Sequence, residues 1–195
     1  SLFFAITLPG ILVALKTFHQ EMLPTSLLMS MASGREGVPF TALLEALLMV
    51  IFLEIIKESS IRTPTAVGQA VTVVSGLVLG QTAVQAGLVG PIMVIAIGAS
   101  GISEFIFSAL KEMIVLYRFV ILILGGTLGL FGVVCGIIMI VVHLISMKSF
   151  GVPYMYPIAP YDKEGIRDFI FRSSINELKC LPRNISNEKE REINE

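Results

Sequence analysis

The chain has 195 residues, of which 54% are hydrophobic and 15% are charged, and its formal net charge is −1. Ordinary soluble domains carry about 25% charged residues, so this composition predicts an integral membrane protein. A net charge close to zero predicts no nucleic-acid partner, because nucleic-acid binding usually needs an excess of basic residues.

The charged residues are unevenly distributed. Residues 1–150 contain 7 of the 14 Lys and Arg residues and 7 of the 15 Asp and Glu residues, and the shorter remainder contains the rest. We therefore predict a transmembrane domain over residues 1–150. Residues 151–195 are expected to form an interfacial collar rich in Pro and Tyr, followed by a polar, partly disordered cytoplasmic tail.

The first residues are already apolar. No basic segment precedes them and no small-residue cleavage site follows, so they do not have the pattern of a signal peptide. We expect the chain to begin inside a membrane helix that ends near Phe18, with a kink at Pro9-Gly10 and with Lys16 reaching the interface. Residues 26–32 are too short to cross a bilayer and indicate an interfacial or re-entrant turn.

Residues 40–56 have a strong helical pattern that contains Glu45 and Glu54. Nine residues separate them by about 180° around a straight helix, so they cannot serve one site. Glu45 lies in an apolar run, where a carboxylate is a candidate functional group; alternatively, the helix lies along the interface. Near its end, Glu54, Lys57, Glu58 and Arg62 are spaced as an interfacial salt-bridge cluster.

The stretch from residue 58 to residue 91 is the most informative part of the sequence. Gly76, Gly80, Ala83 and Gly87 recur at spacings of 4, 3 and 4 and predict a small-residue stripe for close helix packing. Gln81 and Gln85 share another strip of the same helix. Amides facing lipid are costly, so they indicate either hydrogen bonds between helices or the lining of a polar path.

Residues 92–107 form another apolar segment, with Glu104 near its end. If the helix continues, Glu104, Lys111 and Arg118 fall on one face as a candidate ion-pair ladder; a break near Ser108-Ala109 is the alternative.

Residues 113–147 are the longest apolar run, which Gly125-Gly126 is expected to bend. Its two GxxxG pairs, another packing signal, are Gly125 with Gly129 and Gly132 with Gly136.

These segments predict an all-α, polytopic membrane domain with about four or five membrane segments and a polar C-terminal tail. Residues 161–181 have an amphipathic pattern, and residues 182–195 are expected to be disordered. The sequence contains no phosphate-binding loop, no HExxH and no nucleophile elbow. No Cys or His spacing suits a metal. We therefore expect neither an enzyme nor a cofactor.

Several stretches resemble one known family. They are TFHQEMLPTSLL (17–28), SGREGVPF (33–40), EALLM (45–49), GQAVTVV (68–74), LGQTAVQAGLVGPIMVI (79–95), GTLGLFG (126–132) and HLISMKSFGVPYMYPIAP (143–160). Together they are similar to the GerA family, the A subunits of bacterial spore germinant receptors, which also includes a stage V sporulation protein. Two places depart from the family pattern: KESSIR at residues 57–62 and the acidic residue at position 104.

The resemblance implies a protein of the spore inner membrane that works with a transporter-like B subunit and a lipoprotein C subunit. It also implies a homo-oligomer that forms or gates an ion-conducting path opened by a nutrient signal, preceded in the full protein by a cytoplasmic domain. Two other functions remain open at this point. One is a scaffold subunit that conducts nothing, and the other is a secondary transporter, although no inverted repeat of the transporter kind is visible.

Overall fold

The structure is a computed structural model that describes residues 1–34, 37–61, 65–159 and 161. The described part is predominantly helical, as predicted. Its helices are α1 (Leu2–Thr17), α2 (Thr25–Ser33), α3 (Ala42–Ile61), α4 (Thr65–Gln85), α5 (Pro91–Glu104) and α6 (Lys111–Ser146), with 3₁₀ turns at Gln20–Met22 and Phe105–Leu110. The predictions for residues 162–195, an amphipathic segment and a disordered tail, lie outside the described residues.

By length and composition alone, and counting α6 as one helix, α6 is the one helix within the described residues that could cross a membrane, while α1 and α5 are shorter apolar helices. The prediction of four or five membrane segments therefore stays a prediction.

The chain divides into two compact units, residues 1–137 and residues 138–195. In the second unit, β1 (Lys148–Ser149) pairs antiparallel with β2 (Val152–Pro153). The two turn residues, Phe150 and Gly151, both have positive φ, which suits the twist of a tight hairpin.

The first unit is built around α1, α3 and α5, which pack against one another, and α4 packs against α3 and α5. The buried core consists of small and medium apolar side chains: Val13, Ala42, Ala46, Val50, Val89, Met93, Ile97 and Leu122. The last turn of α1 contacts the first turn of α3 and lies beside the start of α5. Helices α3 and α5 therefore run in the same direction, and α1 runs opposite to them. We call α1, α3 and α5 the three-helix frame.

The connection between α5 and α6 is broken, not continuous. Phe107 has non-helical dihedral angles (φ −117°, ψ 54°) inside the 3₁₀ turn that follows α5. The break lies beside the Ser108-Ala109 position that one of the two sequence alternatives proposed. Lys111 and Glu112, which that alternative placed in a loop, instead begin α6.

Helix α6 is itself divided at Gly129, whose dihedral angles (φ 68°, ψ −149°) are accessible to glycine only. A Cβ built on Gly132 would overlap the carbonyl oxygen of Leu124, and one on Gly136 would lie 3.2 Å from the Ile121 side chain. Residues 121 and 136 of a straight helix would be about 22 Å apart. The chain therefore folds back on itself at Gly129, three residues beyond the predicted bend at Gly125-Gly126.

Candidate functional site

A group of four charged side chains joins three helices of the first unit. The Arg118 guanidinium donates to Glu54 Oε1 at 2.9 Å and to Glu104 Oε2 at 2.6 Å. The Lys57 ammonium donates to the same two oxygens, at 3.0 Å and 2.6 Å. Arg118 Nε also donates to the Ala5 carbonyl of α1 at 2.9 Å. This charge network of Glu54, Lys57, Glu104 and Arg118 therefore ties α6 to all three helices of the frame.

The charge network is electrically balanced, with Arg118 and Glu104 buried and Glu54 and Lys57 partly buried. Arg118 is 0% exposed and Glu104 is 4% exposed. A buried charge is tolerated only when it is paired and hydrogen-bonded, and here two cations face two carboxylates. The network explains how an acidic residue can stand in the apolar segment of α5. It also brings Glu104 and Arg118 together, but across the break at Phe107 instead of along one continuous helix.

A cavity of about 570 Å³ opens beside the charge network. Glu58, Lys111 and Glu112 line it together with Glu54, Lys57 and Glu104. Among the described residues no group of three His, Cys, Asp or Glu side chains is placed to hold a metal ion. Of the predicted interfacial cluster, the structure joins Glu54 to Lys57 and leaves Glu58 exposed on the cavity wall, while Arg62 lies outside the described residues.

A second buried ion pair lies at the other end of the frame. Lys16 Nζ, in the last turn of α1, is 2.9 Å from Glu45 Oε2, in the first turn of α3. The other carboxylate oxygen, Oε1, accepts the Gly90 N–H at 2.6 Å, just before α5 begins. Glu45 is 0% exposed and Lys16 is 8% exposed, so Lys16 does not extend to the surface as the sequence suggested. Glu45 thus holds α1 and the start of α5 together.

The two charged sites are separate, as the azimuths of Glu45 and Glu54 predict. Nine residues of α3 put them about 14 Å apart along the helix axis. The sequence suggested Glu54 with Lys57 and Glu104 with Arg118, but not the pairs Lys16 with Glu45 and Arg118 with Glu54, which are joined across 29 and 64 residues. For these two pairs, the sequence offered one indication: a charged residue of each sign within apolar segments of different helices.

The two faces of α4 have different roles. Gln81 and Gln85 are exposed on its outer side. Gly80 is buried on the inner side, where an added Cβ would lie 2.8 Å from the Val94 side chain of α5. Gly76 is next to open space, since no atom lies within 4 Å of its virtual Cβ. Of the glycines in the small-residue stripe, Gly80 therefore packs against a helix of the same chain, on the side opposite the two amides.

Gly87 terminates α4, whereas the small-residue stripe predicted that it packs α4 against another helix. Its φ is +67°, its N–H donates to the Val84 carbonyl at 3.0 Å, and the Leu88 N–H donates to the Ala83 carbonyl at 2.9 Å. This pair of hydrogen bonds is the Schellman arrangement, in which a left-handed glycine terminates the helix. The chain then turns into Gly90 and Pro91, a proline at the first position of α5.

The glycines of α6 bring helices into close contact. A Cβ on Gly125 would lie 2.7 Å from the Gly10 carbonyl oxygen of α1, and one on Gly129 would lie 3.0 Å from the His19 ring. Gly132 and Gly136 instead contact the preceding arm of α6 around Leu124 and Ile121. These four glycines, in the two predicted GxxxG pairs, therefore make intrachain contacts.

Comparison with known proteins identifies the family. Residues 1–184 match the model of the Bacillus/Clostridium GerA spore germination protein. The chain belongs to the GerA family of spore germination proteins. It is 47% identical over 172 residues to spore germination protein KA of Bacillus subtilis (strain 168), covering 87% of this chain and 32% of that protein.

Two other relatives are similar over most of this chain. The membrane protein YfkQ of Bacillus subtilis (strain 168) is 40% identical over 174 residues, which cover 88% of this chain and 34% of YfkQ. Spore germination protein GerLA of Bacillus cereus is 38% identical over 180 residues, covering 91% and 37%. The GerA chain thus spans about a third of the length of the curated relatives it matches. No solved structure matches it significantly.

Proposed function

We propose that this chain is the membrane domain of a germinant-receptor A subunit that contributes to an oligomeric, ion-conducting path in the spore inner membrane. In this proposal a nutrient signal opens the path, a transporter-like B subunit and a lipoprotein C subunit are its partners, and the chain catalyses no reaction. Membership of the GerA family supports the role in germination. The outer face of α4 supports the conducting path.

That outer face has the spacing of a helix-packing surface. Its residues, Val71, Val74, Val78, Gln81 and Gln85, follow one another at steps of 3, 4, 3 and 4 and are all exposed. This is the period at which helices wind around each other, with polar residues setting the register. We call this surface the amide face. It lies opposite Gly80, which packs α4 against α5 of the same chain, so it is available to other subunits.

The amide face carries the proposal because the side-chain amides of its two glutamines have no hydrogen bond within the described part of the chain. An amide exposed to hydrocarbon loses the hydrogen bonds it would make to water. Copies of α4 arranged around a common axis would turn Gln81 and Gln85 toward one another and toward water. A ring of amide oxygens and N–H groups is a polar lining without fixed charge, suited to the passage of monovalent ions.

The test replaces both glutamines by leucine in the full-length protein in its spore-forming host. The double variant Gln81→Leu with Gln85→Leu keeps the helix and removes the amides. The matched control, Val74→Leu with Val78→Leu, changes two positions of the same face without changing its polarity. Release of monovalent cations is followed after nutrients are added, and the receptor subunits are quantified in spore membranes.

The proposal predicts severalfold slower cation release in the glutamine variant, normal release in the valine variant, and unchanged amounts of the B and C subunits in both. Unchanged release in the glutamine variant would contradict a role of the amides in conduction. Slower release accompanied by loss of the B and C subunits would also contradict it, and would favour an assembly role instead.

A further inference from the structure

A close contact between Gly80 of α4 and Val94 of α5 joins the two helices. Gly80 is buried, whereas Leu79 and Gln81, its neighbours in the sequence, are exposed. A Cβ built on Gly80 would lie 2.8 Å from Val94 Cγ1. Gly76, one turn earlier, has no described atom within 4 Å of its virtual Cβ. The glycine at position 80, and not the one at position 76, therefore allows α4 to approach α5 this closely.

Val94 is held firmly by the rest of the first unit. Met93 and Ile97, next to it and one turn away on α5, are 0% and 1% exposed, and Val94 packs against the core to which they belong. The Gly90 N–H fixes the start of α5 to Glu45 at 2.6 Å. A valine in a helix strongly prefers one χ1 rotamer, so its methyl groups do not turn aside without cost. A side chain added at position 80 therefore displaces α4, because Val94 yields less readily.

The contact fixes the size and the direction of this displacement. Carbon atoms in contact are about 3.5–4.0 Å apart, so a Cβ at 2.8 Å requires α4 to move away from α5 by about 1 Å. At 100° per residue, Gln81 and Gln85 lie about 100° and 140° from Gly80 around the helix. The centre of the amide face therefore lies about 120° from Gly80, and half of the displacement, about 0.5 Å, carries the amides away from the chain's own helices.

We propose that Val94 is a positioning residue for the amide face: its contact with Gly80 sets how far α4 stands from the frame and so sets the width of the conducting path. This inference rests on the proposed function, in which the amide faces of several copies surround a common axis. There, the outward shift in each copy narrows the ring by about 1 Å across. The passage of ions depends on the diameter and the lining of a pore, so the shift slows cation release.

Compensating substitutions test the contact in the full-length protein in its spore-forming host. Gly80→Ala adds the methyl group that displaces α4. Gly80→Ala with Val94→Ala removes the Cγ atoms that this methyl group would meet. Gly80→Ala with Val94→Thr is the matched control, because threonine keeps the branched shape of valine at Cβ. Gly76→Ala adds the same methyl group one turn away, beside open space.

The release of monovalent cations is followed after nutrients are added, and the A, B and C subunits are quantified in spore membranes. With unchanged amounts of the subunits, Gly80→Ala should release cations severalfold more slowly than the wild type. Adding Val94→Ala should restore at least half of the lost rate, whereas adding Val94→Thr should restore none of it. Gly76→Ala should release cations at the normal rate.

Normal release by Gly80→Ala, no recovery on adding Val94→Ala, or equal recovery on adding Val94→Thr would overturn the positioning role of Val94. If Gly80→Ala fails to assemble, Val94→Ala alone decides: α4 then settles closer to α5 and release should be faster than in the wild type, whereas an unchanged rate overturns the inference. In each of these cases the proposed function stands as long as Gln81→Leu with Gln85→Leu slows release. Normal release by that glutamine variant would instead overturn the proposed function itself.

Discussion

Replacing Arg118 by methionine tests whether the charge network holds the frame to α6. The substitution preserves much of the apolar length of the side chain and removes three donated hydrogen bonds, to Ala5, Glu54 and Glu104. It leaves two carboxylates facing the single ammonium of Lys57. Breaking a buried pair by removing one partner costs about 3–5 kcal/mol. For a chain of this size each kcal/mol lowers the Tm by about 2–4 °C, so we expect a decrease of about 6–20 °C.

The assay is thermal unfolding of the detergent-solubilised protein, followed by helical circular dichroism. Lys111→Met is the control, because it removes a cation from the cavity wall beside the network, where a pairing contributes at most about 1 kcal/mol. The double variant Arg118→Met with Glu104→Gln removes one charge of each sign and should recover at least half of the lost Tm. Equal Tm values for Arg118→Met and Lys111→Met, or a double variant no more stable than Arg118→Met alone, would refute this reasoning.

Two further substitutions probe the fold. Glu45→Leu leaves the Lys16 ammonium and the Gly90 N–H without their buried acceptor and should lower the free energy of unfolding by about 3–5 kcal/mol. Glu45→Gln keeps an acceptor for the Gly90 N–H and should lower it less. The Tm and amide hydrogen exchange at Gly90 measure both variants, and equal effects would contradict the role of Glu45 as the acceptor for Gly90. Gly129→Ala forces a side chain into a backbone region that costs about 1–3 kcal/mol, whereas Gly76→Ala, within a helix and beside open space, should be neutral or stabilising by less than about 1 kcal/mol. Equal unfolding temperatures for the two alanine variants would argue against a fold-back at Gly129.

The helices could be located from the sequence because their apolar segments are separated by Pro and Gly residues that begin or end helices. Pro91 marks the first residue of α5, and glycine at position 87 has the residue type that ends helices. The sequence could not assign the glycines to their roles. Gly80, Gly87 and Gly129 are identical in type, yet one packs against Val94, one terminates a helix and one reverses the chain, because tertiary neighbours decide among these uses.

The partners of the buried charged residues could likewise not all be predicted from the sequence. The azimuths of Glu45 and Glu54 follow from helix geometry, and the structure places these residues in different sites. The cation partner of each carboxylate follows from how the helices pack. The sequence placed Lys16 at the interface because a lone lysine near a helix end usually extends to the surface. Pairing with Glu45 keeps it buried instead, and no local pattern announces a partner 29 residues away.

Helix α4 contains no ionisable side chain between Thr65 and Gln85. The frame is held at both ends by charge pairs whose rupture costs several kcal/mol each. The described side chains of α4 form no ion pair, and the hydrogen bonds of Thr72 and Thr82 stay within the helix. Sliding or turning α4 over Val94 breaks no ion pair, and the left-handed joint at Gly87 lies where such a movement would pivot. In the described part of the first unit, α4 is therefore held more weakly than the frame. In the proposed receptor, a force applied by a partner subunit would displace the helix that carries the two glutamines before it deforms the frame.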